Sequence, residues 1–367
     1  MFTGKQTLAV LGVPVDTLNM DDVLEEIDKA VIERRSILLS TINSNFLVQS
    51  RSNPRFRFSL LASDICTVDG IGMLLLCKLI AARERVSRVS GADIIHRILE
   101  RRQSRLGRPL RVFFFGGKQG VAELARHKIN QLQSPAVCCV GAMSPGFGSM
   151  EELSSPESIA AINDARPDFL IVSLGAERGQ EWILRNRSAL NVPVCAHLGA
   201  AVNFVAGSIR RAPVQWQAIG LEWLWRIRQE PALSGRYRHD AKVLLQMALL
   251  EAVPRALRNA WDVSVLALRP NPFRASVARR NGVLLLTFSG AAQSSSFDLR
   301  ARIFARVLAV NLPVTLDRRS LRSMDSAAEG QIMRFQRDML IRGRTLRVLD
   351  PHQPAAQTLD YSAAVTP

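Results

Sequence analysis

Short β-branched runs alternate with amphipathic helical patterns over the first 206 residues, and this alternation constrains the fold more than any other feature of the chain. A strand that is followed by a helix usually returns to its sheet in the parallel direction, so we expect an α/β fold with a mostly parallel sheet. Asn19 with Asp22, and Ser90, are placed to cap two of the predicted helices. The predicted strands are residues 7–13, 37–41, 65–68, 111–115, 137–140, 169–174 and 194–198.

The pattern divides the chain into four segments. Residues 1–206 predict a Rossmann-like core, and residues 207–262 predict a helical appendage that is rich in tryptophan and arginine. Residues 263–281 contain two prolines within three positions and predict a linker. Residues 282–367 predict a second, small α/β domain. Its expected strands are residues 283–289, 314–317 and 345–349, and its expected helices are residues 298–308 and 326–341.

The charge indicates an anionic partner. The 367 residues carry a formal net charge of +16, and only six of the 48 basic residues are lysines. Arginine makes bidentate contacts with phosphate and carboxylate, which leaves nucleic acid, a nucleotide and phospholipid open as partners. A hydrophobic content of 47% excludes a disordered polycation. No stretch has the roughly 18 uncharged apolar residues of a membrane span, so we expect any membrane contact to be peripheral.

The cysteines favour a reducing compartment. The chain has five, an odd number, and none of them forms a C-x-x-C pair. This pattern predicts buried structural thiols in the cytosol, not a disulfide framework or a zinc site.

An acidic residue follows the predicted strand at residues 65–68. Asp69 begins the sequence Asp69-Gly70-Ile71-Gly72, at the carboxyl end of a parallel strand, where ligands bind in open α/β sheets. The glycines leave room for a ligand near the backbone. Asp69 as a site residue and Asp69 as the cap of the next helix are both compatible with this pattern.

Four other predicted strand ends carry small or polar residues. Thr41 and Asn43 are suited to binding a sugar or to capping a helix. A glycine turn at residues 116–120 is typical of phosphate binding at a helix N-terminus, and equally of a plain tight turn. Because parallel strands end at one edge of their sheet, this convergence predicts a site there. The remaining two strand ends are followed by a loop at residues 144–148 and by Gly175.

Several functional motifs are missing from the sequence. We find no Asp-x-Asp pair of the kind that holds a nucleotide's metal, no cluster of His or Cys and no G-x-S-x-G elbow. The absence of G-x-G-x-x-G argues against a nicotinamide-dependent oxidoreductase. We therefore expect neither a metal nor a cofactor. His197 lies at a strand end but is a weaker site candidate than Asp69.

Taken in order, these segments resemble the WecG/TagA/CpsF family of bacterial glycosyltransferases. The resemblance covers roughly residues 8–245 with the order of the motifs preserved. The matching motifs are Thr41-x-Asn43, Val68-Asp69-Gly70-Ile71-Gly72, Arg88-Val89-x-Gly91-x-Asp93, Phe115-Gly116-Gly117-x-x-Gly120, Ser144-Pro145-Gly146-Phe147-Gly148, residues 167–175, residues 199–207, Arg211-Ala212-Pro213, residues 220–226 and Arg236-Tyr237.

The resemblance implies transfer of a sugar, N-acetylmannosamine or a related one, from a UDP-sugar to a polyprenyl-diphosphate-linked saccharide in surface polysaccharide biosynthesis. It implies inversion at the anomeric carbon without a metal, with Asp69 as the general base. It places two groups of residues at the substrates. The core residues are Thr41, Asn43, Gly70, Gly116, Gly117, Gly120, Pro145, Gly148, Gly175 and Gln180, and the appendage residues are Arg211, Arg226 and Arg236.

Two positions depart from the family pattern. The glutamine that the family usually has after its Leu-Gly motif falls on Gly179, unless the loop shifts by one residue and brings Gln180 there. Asn203 stands where an aspartate is common. Both departures concern the identity of the donor sugar more than the fold.

The tryptophans and arginines of the appendage have two interpretations. They suit a membrane interface, where aromatic rings meet headgroups and arginine meets lipid phosphate. Alternatively, Trp223 and Leu224 pack on the core while the arginines are solvated. We favour the membrane because a polyprenyl acceptor lies in it. The protein is then expected in the cytoplasm, peripheral to the anionic inner face of the cell membrane.

Residues 282–367 resemble a STAS domain, the fold of anti-sigma-factor antagonists, which implies a regulatory module with a possible protein partner. Ser326 falls where some such domains are phosphorylated; a helix N-cap at Asp325 or Ser326 is the alternative. The rival function for the whole chain is a nucleic-acid-binding or STAS-type regulatory protein without transferase activity, which predicts salt-dependent DNA or RNA binding. The basic residues are dispersed and no nucleic-acid motif is present, so we expect no nucleic-acid partner.

Overall fold

The structure is a computed structural model that describes residues 6–146, 148–268, 271–350 and 353–358. The chain divides into two compact units, one made of residues 18–74 and 86–245, the other of the described parts of residues 1–17, 75–85 and 246–367. The strands are β1 (Thr7–Val10), β2 (Val13–Asp16), β3 (Ile37–Ile42), β4 (Ile65–Val68), β5 (Leu110–Gly116), β6 (Val137–Met143), β7 (Phe169–Ser173), β8 (Val194–His197), β9 (Arg274–Arg280), β10 (Val283–Ala292), β11 (Val314–Met324), β12 (Leu346–Asp350) and β13 (Gln353–Thr358).

The helices connect these strands and form the segment between β8 and β9. They are α1 (Met20–Ile32), α2 (Ser44–Ser52), α3 (Pro54–Ala62), α4 (Ile71–Ile80), α5 (Gly91–Leu99), α6 (Val121–Gln131), α7 (Met150–Leu153), α8 (Pro156–Asp164), α9 (Ala176–Asn186), α10 (Ala201–Ala206), α11 (Val214–Ala218), α12 (Glu222–Gln229), α13 (Ser234–Met247), α14 (Val253–Leu268), α15 (Phe297–Ala309) and α16 (Ser326–Ile341).

The unit of residues 18–74 and 86–245 is built on a six-stranded sheet in the order β4-β3-β8-β7-β5-β6. Every neighbouring pair is parallel, which confirms the predicted α/β class. Apolar side chains fill both faces: Ile27 and Ile171 belong to the core of one face, and Trp182 stacks on Phe115 at 4.3 Å between ring centroids on the other. Sheets buried on both faces need such continuous apolar strands.

Local capping fixes where two of these helices begin. The side chain of Asn19 accepts from the backbone N–H of Asp22 at 3.0 Å, and the carboxylate of Asp22 accepts from the N–H of Asn19 at 2.9 Å. Ser90 caps α5 by accepting from the N–H of Asp93 at 3.1 Å. Both predicted caps are confirmed, because the side chains satisfy N–H groups that have no partner inside the first turn.

The other unit contains a five-stranded sheet in the order β13-β12-β11-β10-β9. Its three central strands are parallel and the two edge strands are antiparallel. Phe304 stacks on Phe335 at 4.3 Å in its core, beside Phe288. The predicted alternation of strands and helices is present here, and β9 lies inside the segment predicted as a linker. The likeness to a STAS domain stays a prediction.

An N-terminal hairpin belongs to this second unit. The predicted first strand is interrupted at Leu11 and Gly12, whose φ angles are 49° and 88°, so that β1 and β2 pair antiparallel instead of joining the six-stranded sheet. The hairpin packs on α16: the Ser326 hydroxyl donates to the carbonyl of Ala9 at 2.7 Å. Residues 1–206 of the sequence therefore contribute to both units.

Asp325 and Ser326, at the start of α16, make different contacts. Asp325 is the N-cap, since its carboxylate accepts from the N–H of Ala328 at 2.8 Å. Ser326 is buried against the hairpin. The capping interpretation is thus confirmed at Asp325.

The five cysteines are free thiols, and burial raises the pKa of Cys77, Cys139 and Cys195 to about 12. In the part of the chain that the structure describes, no helix combines the length and the hydropathy required to cross a bilayer.

Candidate active site

A cavity of about 380 Å³ opens at the carboxyl ends of β4, β3 and β8. Thr41 and Asn43 reach it from the end of β3, Asp69 and Gly70 from the end of β4, and His197 from β8. Of the five strand ends that the sequence predicts to meet, those of β3 and β4 line this cavity, and the end of β8, which was not among the five, lines it as well. Helices α10, α12 and α13 supply further lining residues, including Phe204, Trp225 and Leu244.

Asp69 is held firmly at this edge. Its backbone N–H donates to the carbonyl of Ile42 at 2.8 Å, which extends the β3–β4 ladder by one residue. Burial raises the pKa of the Asp69 carboxyl to about 7, and the negative charge of Glu222 adds to the rise. Arg88 acts in the opposite direction. A carboxyl with a pKa near neutrality is suited to accepting a proton at physiological pH.

Two arginines and two carboxylates form a charge cluster beside Asp69. Arg88 lies 3.5 Å from the carboxylate of Asp93 and 3.4 Å from that of Glu222. Arg211 binds Asp93 and lies 3.5 Å from Glu222. Each positive charge is thereby paired within the cluster, which restrains the effect of the carboxylates on the pKa of Asp69.

Thr41 and Asn43 occupy the end of β3 in different ways. Thr41 is a buried strand residue whose register partner on β4 is Thr67. Asn43 is the N-cap of α2 and accepts from the N–H of Phe46 at 3.0 Å, as its capping interpretation predicts. Because Asn43 also lines the cavity, its cap fixes the side chain at the site.

Helix α13 is anchored to the cavity through a buried carboxylate. Asp240 accepts from Asn45 at 3.0 Å, and Gln49 donates to the same Asn45 at 2.9 Å. Gly72 makes the approach possible, since a Cβ there would lie 2.9 Å from Leu244. The appendage thus covers the strand ends through specific polar contacts.

Of the three appendage arginines, two line the cavity. Arg226 is paired with Glu230 at 3.0 Å, and its guanidinium lies 5.9 Å from the ring of Phe204. Arg236 is exposed at the cavity, with its guanidinium 5.3 Å from the ring of Tyr237. Arg211 lies behind the lining in the charge cluster.

The predicted glycine turns lie along the other half of the same sheet edge, at the ends of β5, β6 and β7. A Cβ on Gly116 would lie 2.6 Å from the carbonyl oxygen of Ser173, so glycine is required for the β5–β7 contact. None of these residues lines the described cavity. They are Gly116, Gly117, Gly120, Pro145, Gly148 and Gly175; Phe147 of the same loop motif lies outside the described residues.

Helix α9 places Gln180 in the interior. Its amide donates to the hydroxyl of Ser40 at 2.7 Å, and the side chain is fully buried. The preceding residue, Gly179, faces the ring of His197. Gln180 therefore lies beneath the cavity, not in its lining.

Sequence reasoning did not assign several lining residues to the site. Arg88 and Glu222 lie within the family motifs. The feature of the sequence that could have indicated their pairing is that they carry opposite charges. Arg210 replaces Arg211 in the lining; its backbone carbonyl accepts from Trp225 at 3.1 Å. For His197, the only indication in the sequence was its position at the end of a predicted strand. Among the described residues, no group of three or more His, Cys, Asp or Glu side chains is arranged as a metal site.

Known proteins share sequence similarity with this chain. The sequence profile of the glycosyl transferase WecG/TagA/CpsF family matches residues 8–258. An N-acetylglucosaminyldiphosphoundecaprenol N-acetyl-beta-D-mannosaminyltransferase of Bacillus spizizenii is 26% identical over 200 residues, or 54% of this chain and 74% of the relative. A protein of the same name from Bacillus subtilis is 24% identical over 227 residues, or 62% of this chain and 85% of the relative. The chain belongs to the WecG/TagA/CpsF family of glycosyltransferases.

Proposed function

We propose that the protein transfers a sugar, N-acetylmannosamine or a related one, from a UDP-sugar to a polyprenyl-diphosphate-linked saccharide, with inversion and without a required metal, in surface polysaccharide assembly. The observation that carries the proposal is the carboxyl of Asp69, whose pKa is about 7, in a cavity bordered by arginines. The names of the relatives from two Bacillus species support the lipid-linked acceptor and the mannosamine-type sugar.

In this reaction Asp69 takes the proton of the acceptor hydroxyl as its oxygen attacks the anomeric carbon. The bond from that carbon to the UDP oxygen breaks on the opposite face, so the configuration inverts. The bonding electrons leave with UDP, and the proton passes from Asp69 to solvent. A base with a pKa near the operating pH is effective because it is deprotonated yet still basic enough to accept the proton.

The departing diphosphate needs positive charge. Arg236, exposed at the cavity, and Arg226, beside Phe204, are placed to stabilise the developing negative charge. Arg88 and Arg211 bind the carboxylates of Asp93 and Glu222 beside Asp69, so we assign them to orienting the site around this residue. The glycine turn at residues 116–120, farther along the same edge, is proposed to hold the nucleotide through its backbone amides.

The exposed apolar residues support contact with a membrane surface. Trp223 and Leu224 of α12 are 42% and 41% exposed, which disfavours the interpretation that they pack on the core. Helix α14 and the turn before it separately expose Leu250, Leu257 and Trp261, the last at 71%. Aromatic and aliphatic side chains on helices with arginines are typical of interfacial binding. We propose that the protein acts at the cytoplasmic face, where the polyprenyl acceptor is located.

A transfer assay with a short-chain polyprenyl-diphosphate-linked N-acetylglucosamine and a panel of UDP-sugars tests the function. We expect one UDP-sugar to be consumed, with a product whose anomeric configuration, read by NMR, is opposite to that of the donor. Addition of EDTA is expected to leave the rate unchanged.

Asp69→Asn tests the base. This variant should lose transfer by at least about 10²-fold, the usual contribution of general-base catalysis, while it still binds the UDP-sugar. Asp21→Asn, an exposed carboxylate in the same unit, is the matched control and should retain activity. Undiminished turnover by Asp69→Asn would reject Asp69 as the base, and the absence of transfer from every UDP-sugar by the wild type would reject the function.

A further inference from the structure

His197 is a buried histidine with no use in the proposed reaction. The residue is 4% exposed, at the end of the central strand β8, and it borders the cavity. Neither ring nitrogen has a hydrogen-bond partner among the described residues. A neutral imidazole carries one N–H donor and one acceptor nitrogen, and buried polar groups of this kind are normally paired. The unpaired nitrogens therefore point to a ligand.

The ring is held in place by close packing. A Cβ on Gly179 would lie 2.2 Å from Cδ2 of His197, so the ring occupies the space in which a side chain at position 179 would begin. On another side the ring of Phe46 lies 5.9 Å away between centroids. His197 is thus positioned by the glycine of α9 and an aromatic ring of α2, with its nitrogens left for another group.

The chemistry of the ring selects the ligand class. Burial lowers the pKa of His197 to about 4, so the imidazole is neutral at physiological pH. A neutral ring has no charge with which to bind a phosphate, but it suits a neutral group that both donates and accepts, such as a hydroxyl or an acetamido group. Sugars carry these groups.

The position relative to Asp69 fits a sugar. Strands β4 and β8 are separated only by β3, so their ends lie about 10 Å apart at a spacing of roughly 4.8 Å per strand. A sugar that reacts beside Asp69 is within reach of the ring.

We infer that His197 is a specificity-determining residue which hydrogen-bonds a hydroxyl or acetamido group of a sugar bound in the cavity, either the transferred sugar or the acceptor sugar. This inference rests on the proposed function.

His197→Leu removes both nitrogens and keeps most of the volume. We expect KM for one of the two substrates to rise about tenfold, with a smaller change in kcat, because a binding contact to the sugar is lost. An increase for the UDP-sugar assigns the contact to the transferred sugar, and an increase for the lipid-linked substrate assigns it to the acceptor. His197→Asn or His197→Gln, which returns an amide near Nδ1 or Nε2, should restore part of the affinity. His127→Leu, on the surface of α6, is the matched control.

Gly179→Ala tests the positioning of the ring. The added methyl must displace His197, so this variant should raise the same KM, whereas Gly179→Ala in the His197→Ala background should cause no further increase. Melting temperatures show whether each variant folds. In ¹⁵N-histidine spectra the ring resonances that disappear in His197→Leu should shift when the wild type binds substrate.

Two results separate the claims. If the wild type transfers sugar but both KM values of folded His197→Leu are unchanged, the inference is overturned and the proposed function stands. If the wild type transfers nothing from any UDP-sugar, the proposed function fails and the inference fails with it.

Discussion

Arg88 binds Glu222 across 134 positions of sequence, with Nη1 3.4 Å from Oε2. The same guanidinium lies 3.5 Å from Asp93. Both carboxylates raise the pKa of Asp69 and Arg88 lowers it, so this pairing balances the charges around the proposed base. The pairing also joins the first turn of α12 to the segment that connects α4 with α5. The attachment of α12 at the site and the pKa of Asp69 therefore depend on the same contact.

The pH dependence of the reaction follows from Asp69. A general base acts in its deprotonated form, and the pKa of this carboxyl is about 7. We expect kcat/KM to rise from pH 5, to reach half of its maximum near pH 7, and to level off above pH 8. Initial rates over this range, in buffers of constant ionic strength, provide the measurement. A profile that is flat from pH 5 to 8 would contradict a base with this pKa.

Substitutions in the charge cluster should move that midpoint in opposite directions. Glu222→Gln removes a negative charge that disfavours the Asp69 carboxylate, so the midpoint should fall. Arg88→Gln removes a positive charge that favours it, so the midpoint should rise. The two pH profiles, compared with the wild type, check the prediction. Shifts in the same direction would show that rearrangement, and not local charge, controls the pKa.

Asp69→Asn should stabilise the protein at alkaline pH. Between the ordinary carboxyl pKa of 3.8 and the raised value of about 7, the folded protein retains a proton on Asp69 that the unfolded chain has released, so the contribution of this group to stability falls as the pH rises. Three pKa units correspond to roughly 4 kcal/mol, and partial exposure to solvent reduces our expectation to about 2 kcal/mol. Urea unfolding at pH 8 and pH 4 measures it: the gain should be present at pH 8 and nearly absent at pH 4.

Two glycines in helices should respond oppositely to alanine. At Gly330 of α16 a Cβ would lie 2.1 Å from the carbonyl oxygen of Thr7, so Gly330→Ala must displace the hairpin and should cost about 1–3 kcal/mol. Gly235 of α13 has open space at its Cβ position, and alanine there should stabilise by up to about 1 kcal/mol through helix propensity. Chemical denaturation of the two variants gives both values. Equal changes in the free energy of unfolding would mean that α16 does not pack against the hairpin at Gly330.

The apolar side chains of α14 should determine affinity for membranes. Replacing Leu257 and Trp261 with serine removes two side chains that are 67% and 71% exposed, and we expect binding to anionic vesicles to weaken at least about tenfold. Transfer to a water-soluble, short-chain acceptor should not change. Leu132→Ser, which alters an exposed leucine just after α6, is the control and should bind vesicles like the wild type. Vesicle flotation gives the affinities.

The predicted elements were most accurate where local chemistry defines them. Asn19 with Asp22 and Ser90 capped the helices that they were expected to cap, and the helix predicted at residues 326–341 has those bounds as α16. In contrast, the side chains of β9 are almost all exposed, and its pairing with β10 uses backbone hydrogen bonds that leave no apolar period in the sequence. The break in the first strand depends on Leu11 at positive φ, a conformation that leucine does not signal.

The part of the candidate site that could be predicted is the part formed by the ends of adjacent parallel strands. Thr41 and Asn43 lie at the end of β3 and Asp69 follows the adjacent strand β4, so their meeting at one edge follows from the fold class. The partners of the arginines do not follow from it, because Glu222 reaches Arg88 only through the fold of the appendage. The environment of His197 does not follow from the strand order either, because its ring packs against Gly179, which lies on the helix α9.

The hairpin of residues 7–16 has a consequence for the order of synthesis. Ala9 is made 317 positions before Ser326, to which it binds. At roughly 5–20 residues per second, the ribosome needs on the order of 16–60 s to produce the helix that completes this contact. Leu8 and Val15, fully buried in the finished protein, must wait on the nascent chain for that time. The hairpin is therefore made long before the helix on which it packs, and its apolar side chains find that partner only after α16 has been synthesised.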